Sequence, residues 1–178
     1  METGFFGKIL WINLSEVTFK EETLPEMMYR QYLGGYGLGI KLIYENTPAK
    51  VNPLIPKSIF GFFPGLLTGT AAPFSGRYMV VGKSPLTRTW GYYNSGGIFG
   101  PEIKNCGFDA IIVKGTAENP VYVSIIGENK EILDATDLWG LDIIKAEEKL
   151  KLKHRKFIKT AGIGQSWRKN IFDFWNCK

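Results

Sequence analysis

Residues 8–20 read KILWINLSEVTFK, and this stretch predicts a β-hairpin at the start of the fold. Both arms are rich in β-branched and other apolar residues, and the polar pair Ser15-Glu16 between them is typical of a turn. Thr23 then stands two residues before Pro25, which is an N-cap pattern with proline at an early helical position. A helix is therefore expected directly after the hairpin.

The same order of elements recurs later in the chain. Residues 121–126 and 131–133 predict two strands joined by a turn at residues 127–129, and Asp137 is expected to cap a helix over residues 141–152. Further strands are expected over residues 58–63, 77–81 and 110–113, and further helices over residues 38–44 and 97–106. We therefore predict an α+β fold: a single domain with two β-sheets, a few helices and pseudo-duplicated hairpin–helix units.

Length and composition are those of an ordinary globular domain, with 178 residues of which 44% are hydrophobic and 22% charged. No run approaches the roughly 18 apolar residues that a membrane-spanning helix needs. The first residues also lack the charged-then-apolar pattern of a signal peptide. A cytoplasmic protein without a membrane partner is expected.

The net charge of +5 is concentrated at one end of the chain. Residues 1–144 carry 12 Lys and Arg against 14 Asp and Glu, whereas residues 145–178 carry 10 against 3, so the net charges are −2 and +7. Few aromatic residues stand between these lysines, and a solvated helix face explains them more simply than a nucleic-acid interface. No nucleic-acid partner is expected.

The chain contains two cysteines, Cys106 and Cys177, and one histidine, His154. A structural metal site or an iron–sulfur cluster needs three or four thiolates or imidazoles, so this chain alone is not expected to bind either. A catalytic pair of Cys106 and His154 is one interpretation. A buried cysteine in a helix is the interpretation that we favour.

The stretch from Thr68 to Gly100 is rich in small residues and has no carboxylate before Glu102. Such a segment brings backbone N–H groups close to an anionic ligand, and Arg77 adds side-chain donors. Residues 94–97 (NSGG) also lead into a predicted helix, whose N-terminus attracts anions; a helix cap with an entry loop is the alternative. We predict an anion site that consists of Arg77, Asn94, Ser95, Gly96 and Gly97, and no catalytic residue.

Two other glycine motifs lack the spacing of nucleotide-binding loops. Residues 34–39 (GGYGLG) would need a further glycine or alanine at Ile40, and they follow a predicted helix, so a tight helix–helix junction is expected. Residues 82–84 (GKS) lack the glycine five positions upstream, where Arg77 stands. Lys83 is therefore expected either to face an anion or to be exposed.

Several motifs together resemble one family, the tungsten-containing aldehyde:ferredoxin oxidoreductases, in its N-terminal domain. The similarity runs from about residue 4 to Gln165. The motifs that carry it are GKILWINL at 7–14, YLGGYGLG at 32–39, TGT at 68–70, GRY at 76–78, KSPLT at 83–87, NSGG at 94–97 and GFDAI at 107–111.

The resemblance implies a domain with two β-sheets that forms the base for a tungsten-bis-pterin cofactor. By motif, Arg77, Asn94 and Gly96 would contact the pterin and its phosphates, and Asn94 would lie close to a magnesium ion that bridges the phosphates. Tyr36 stands where the family has a basic residue, so we expect its loop to contribute less to anion binding. Family members are several times longer, carry an iron–sulfur cluster on later domains and use ferredoxin as electron partner.

Residues 166–178 (SWRKNIFDFWNCK) depart from the family pattern. Codons can be chosen for them whose reading from the second base begins Ala-Gly-Glu, which restores that pattern. We therefore divide the chain into a cofactor-base domain, residues 1–165, and an off-family tail, residues 166–178, and expect a frameshift after about Gln165. The DNA beyond the last codon tests this expectation.

Two hypotheses about function follow. The first is a cofactor-binding domain of an oxidoreductase that oxidises aldehydes to carboxylic acids and is inactive alone. The second is a truncated, non-enzymatic remnant that folds without cofactor and forms a homo-oligomer through the face that its missing domains would cover.

Overall fold

A computed structural model describes residues 4–154 and 157–162. The elements follow one another in the order β1 (Lys8–Asn13), β2 (Thr18–Thr23), α1 (Glu26–Tyr32), α2 (Gly35–Asn46), β3 (Ile59–Pro64), β4 (Tyr78–Lys83), β5 (Trp90–Ser95), α3 (Phe99–Asn105), β6 (Ala110–Lys114), β7 (Val121–Ile126), β8 (Asn129–Asp134) and α4 (Ile143–Lys153). The predicted frameshift position and the tail, residues 166–178, lie outside the described residues.

The strands form one large and one small sheet. The large sheet has the strand order β2-β1-β6-β3-β4-β5, in which β1 and β6 are parallel and all other neighbours are antiparallel. The small sheet is the β7–β8 hairpin. The predicted α+β class with two sheets is confirmed. Both hairpin–helix units are present, although the first hairpin joins the large sheet and the second stands apart from it.

Elements cover both faces of the large sheet. Neighbouring residues of β1 point to opposite faces, and both Ile9 and Leu10 are fully buried. On the face of Ile9, helices α1 and α2 pack through Tyr29, Leu38 and Ile43. The opposite face is covered by α3 and the small sheet, whose contributions to the core are Ile103, Val123, Ile125 and Ile132.

The ring of Phe63 fixes how closely α2 approaches the large sheet. A Cβ on Gly39 of α2 would lie 2.9 Å from the ring, and a Cβ on Gly61 of β3 would lie 2.8 Å from it. Two glycines thus create the space that the ring fills, and Phe63 is fully buried. The glycines of residues 34–39 predict a tight junction between α1 and α2, and this junction is found. Gly39 of the same motif also allows the close contact between α2 and the large sheet.

The buried carboxylate of Asp109 links residues 6–7, through hydrogen bonds, to Lys104 near the end of α3, through an ion pair. Asp109 accepts hydrogen bonds from the backbone N–H groups of Phe6 and Gly7 and from the hydroxyl of Tyr29, at 2.9, 2.7 and 2.8 Å. It also forms an ion pair with Lys104 at 2.5 Å, and both side chains are almost completely buried. Burial, together with the nearby Asp109 charge, raises the pKa of Tyr29, so its hydroxyl remains a donor.

Several predicted boundaries are wrong. Thr23 ends β2, and Pro25 is the N-cap residue of α1. The helix near residue 143 is capped by Asp142, whose side chain accepts from the N–H of Lys145, and not by Asp137. Strand β5 was not predicted at all.

Among the described residues, no helix has the length and apolar character to cross a membrane.

Candidate functional site

The predicted site residues come together at one end of the β4–β5 pair. Tyr78 lies opposite Ser95 and Met79 opposite Asn94, so Arg77, the residue before β4, lies beside the end of β5. Nη1 of Arg77 donates a hydrogen bond to Oδ1 of Asn94 at 2.9 Å, and both side chains are exposed. Strand pairing therefore joins two residues that the sequence places 17 positions apart.

Gly96 and Gly97 extend the site as bare backbone. A Cβ built on either glycine would meet no atom within 4 Å, so the space in front of them is open. Gly97 has a φ of +90°, in the region that favours glycine, and its carbonyl oxygen would lie 3.0 Å from a Cβ at Gly76. The loops that carry Arg77 and Asn94 are thus in close contact.

Thr68 supports the backbone of Arg77. Its buried hydroxyl donates to the carbonyl oxygen of Arg77 at 2.9 Å, and the N–H of Gly65 donates to the same oxygen at 3.3 Å. A Cβ on Gly100 would lie 3.3 Å from the Thr68 methyl group, so the first turn of α3 rests on this residue too. The sequence placed Thr68 at the start of the glycine-rich stretch and in a family motif, but did not predict that its hydroxyl would hold the backbone of Arg77.

Helix α3 contributes less to the site than predicted. It begins at Phe99 instead of Gly97, has seven residues, and carries Glu102 in its first turn. A short helix with a carboxylate at its positive end attracts anions weakly. Arg77 and the backbone of Gly96 and Gly97 are therefore the main groups of the predicted anion site.

An exposed aromatic pair lies near the predicted anion site. The rings of Tyr36, in the first turn of α2, and Tyr92, on β5, have centroids 4.6 Å apart and an interplanar angle of 63°. This edge-to-face arrangement is a favourable one for aromatic rings. Sequence reasoning singled out Tyr36 but not Tyr92, because β5 itself was missed.

Cys106 and His154 have different partners. Nε2 of His154 lies 2.9 Å from the Tyr122 hydroxyl, whereas the half-buried Cys106 follows α3 and packs against the core. Burial raises the pKa of the Cys106 thiol, and the Glu102 charge adds to the effect. A protonated thiol does not suit a nucleophile, so these contacts agree with the favoured structural interpretation.

Neither a metal cluster nor a phosphate loop is found in the described parts of the chain. Within residues 4–154 and 157–162, no group of three or more His, Cys, Asp and Glu side chains could hold a metal ion. Nζ of Lys83 donates to the carbonyl oxygen of Val51 at 2.6 Å and is partly buried. Lys83 was expected either to contact an anion or to be exposed. Neither is found, because its ammonium group binds the backbone of Val51.

A large apolar groove lies on the other side of the sheet. It has a volume of about 1310 Å³ and runs between the large sheet and the unit formed by the small sheet and α4. Its lining includes Phe60 and Phe62 from the large sheet, Leu138 and Ile143 from the other unit, and residues 157–162. Phe60 is 43% exposed, although it lies on a central strand.

Comparisons with known proteins show which family the chain resembles. The family model described as "Aldehyde ferredoxin oxidoreductase, N-terminal domain" matches residues 9–171. The curated "Tungsten-containing aldehyde ferredoxin oxidoreductase" of Pyrococcus horikoshii is 44% identical over 169 residues, which are 94% of this chain and 28% of that protein. The "Aliphatic sulfonate oxidoreductase, WOR-like subunit" of Pyrococcus furiosus is 33% identical over 149 residues, 78% of this chain and 22% of that protein.

A solved structure shows the same fold. The "Active site complex BamBC of Benzoyl Coenzyme A reductase in complex with 1,5 Dienoyl-CoA" superposes with a TM-score of 0.92 and 30% identity, over 96% of this chain and 26% of that one. The chain thus spans only between 22% and 28% of the length of these proteins. The resemblance stated from the sequence motifs is confirmed.

Proposed function

The chain belongs to the aldehyde ferredoxin oxidoreductase family, whose N-terminal domain it matches, and we propose that it is the base on which a tungsten-bis-pterin cofactor lies. Its curated relatives are named as tungsten-containing enzymes. The observation that carries the proposal is the contact between Arg77 and Asn94 beside the open backbone of Gly96 and Gly97.

The groups present suit the phosphate end of such a cofactor. Arg77 uses one guanidinium nitrogen on Asn94, and its side chain makes no other hydrogen bond to the described part of the chain. Its remaining donors can therefore bind an anion, while Gly96 and Gly97 let a ligand approach the backbone. Ser95, exposed at the end of β5, is a further polar group beside them.

Asn94 is the residue that we propose lies close to a magnesium ion bridging the phosphates. Magnesium in phosphate sites takes few protein ligands and keeps several waters, and an amide oxygen is a suitable ligand. Oδ1 of Asn94 accepts one hydrogen bond from Arg77 and has a second lone pair. The positive charges of Arg77 and the ion repel each other unless phosphates lie between them, so binding of ion and phosphates should be coupled.

The role of this chain in the reaction is to bind and orient the cofactor. A bound tungsten centre would supply the redox chemistry, accepting the electrons that are released when an aldehyde is oxidised to a carboxylic acid. We propose that the longer family members pass these electrons through an iron–sulfur cluster to ferredoxin, and that this chain has no aldehyde-oxidising activity by itself. No described residue is assigned a catalytic role.

Replacing Arg77 with alanine is expected to weaken binding of an oxidised pterin monophosphate about 10- to 100-fold, because charge-assisted hydrogen bonds to the phosphate are lost. Isothermal titration calorimetry measures the affinity. Arg88→Ala is the matched control, because Arg88 is exposed in the turn at the opposite end of the β4–β5 pair. Equal affinities of the two variants would contradict the proposed anion site.

Self-association without cofactor is the second candidate function, and the apolar groove is the observation that favours it. An open apolar surface of this size commonly drives association, and a second copy of the chain could cover it. Purification from an anaerobic host supplied with tungstate separates the candidates. Stoichiometric tungsten by mass spectrometry supports cofactor binding, and a metal-free oligomer in light scattering supports self-association.

A further inference from the structure

The exposed rings of Tyr36 and Tyr92, called the tyrosine pair below, have no evident role in the core. Tyr36 is 37% exposed and Tyr92 is 54% exposed, and the two rings form one edge-to-face pair. Tyrosine rings that keep this much surface in solvent offer flat apolar area to a ligand.

The tyrosine pair and the anion site form one continuous surface. Tyr92 and Asn94 are two residues apart on β5, so their side chains leave the same face of the strand about 6.6 Å apart. The start of α2 lies over the same region, because a Cβ on Gly35 would be 3.8 Å from Cγ of Met79, and Met79 is opposite Asn94. Tyr36 is the next residue of that helix.

This surface combines an aromatic part with a cationic part. A ligand that carries a flat heteroaromatic ring and a phosphate a few ångströms from it matches both parts at once. Stacking on an aromatic side chain is tolerant of ring identity and contributes substantially to affinity. A guanidinium fork supplies the donors for the phosphate.

We propose that the tyrosine pair is a second part of the cofactor site and contacts a pterin ring, while Arg77 and Asn94 hold the phosphate. This inference rests on the proposed function. The site therefore selects for the ring as well as for the anion.

The test uses the full chain and three probes: a fluorescent oxidised pterin monophosphate, the same pterin without phosphate, and inorganic phosphate. Tyr36→Leu and Tyr92→Leu are each expected to weaken pterin monophosphate binding about tenfold and to reduce the quenching of pterin fluorescence that stacking causes. Neither variant is expected to change the affinity for inorganic phosphate. Tyr36→Phe and Tyr92→Phe, which keep the rings, should retain the quenching.

Tyr44→Leu is the matched control, because Tyr44 lies on the same helix and is 77% exposed. Circular dichroism verifies that each variant is folded. If the leucine variants bind and quench like Tyr44→Leu while Arg77→Ala weakens binding, the inference about the tyrosine pair is wrong and the anion site stands. If the leucine variants weaken binding and Arg77→Ala does not, the proposed phosphate contact is wrong and the ring contact stands. Absence of binding by the unmodified chain overturns both.

Discussion

Replacing Asp109 with alanine should lower the free energy of unfolding by about 3–5 kcal/mol, because it leaves a buried charge without its partner. Lys104 is 3% exposed and keeps its ammonium group in the ion pair with Asp109. The same substitution removes the acceptor for the N–H groups of Phe6 and Gly7 and for the hydroxyl of Tyr29. Urea denaturation followed by circular dichroism measures the loss.

The control for Asp109→Ala is Glu45→Gln, which breaks an ion pair with Lys41 on the exposed surface of α2. Surface pairs of this kind contribute about 0–1 kcal/mol. A double variant, Lys104→Met with Asp109→Ala, should recover part of the stability, since no unpaired charge then remains in the core. A loss below about 1 kcal/mol for Asp109→Ala would show that the buried network does not stabilise the fold.

Replacing Phe63 with alanine is expected to cost about 3–5 kcal/mol, because it empties a fully enclosed site. The ring lies between Gly39 and Gly61, and neither glycine has a side chain that could move into the space. Helix α2 would lose a close contact with β3, so the start of that helix, which carries Tyr36, should also become less fixed. Urea denaturation gives the stability change, and hydrogen exchange of the α2 amides reports the second effect.

Phe60→Ala is the matched control for Phe63→Ala. The two residues lie on the same strand but on opposite faces, and Phe60 is 43% exposed at the groove. Its removal should cost only about 1 kcal/mol, since less apolar surface is buried and the cavity is open. If both variants lose the same free energy of unfolding, the space between Gly39 and Gly61 does not determine how α2 packs on the sheet.

Strands with a strong local sequence pattern were predicted correctly. Residues 8–14, 110–113 and 121–126 are short apolar runs rich in β-branched residues, and each is found as a strand within one or two residues. Strand β5 was missed because its sequence, WGYYNS, combines a glycine, an asparagine and a serine in six residues. Its extended conformation depends on pairing with β4, which no local pattern reports.

The same missing strand limited the prediction of the site. Arg77 and Asn94 were both selected, from glycine-rich surroundings and from the family motifs, but their contact exists only because β4 and β5 pair. Tyr92 was not selected, because it lies on β5, which was not predicted. Thr68 acts through a backbone hydrogen bond, and the sequence gives no sign of which carbonyl oxygen a threonine will bind.

The parallel pairing of β1 with β6 has a consequence for synthesis on the ribosome. The first hairpin emerges early, but its second neighbour in the sheet begins at Ala110. At ordinary elongation rates the interval lasts roughly 5–20 s, during which the face of β1 that carries Leu10 and Ile12 lacks the later elements that cover it. Asp109, which binds the backbone of Phe6 and Gly7, arrives at the same late moment. The large sheet can therefore be completed only late in synthesis, when β6 joins the first hairpin to β3, and the apolar surface that is exposed until then favours aggregation.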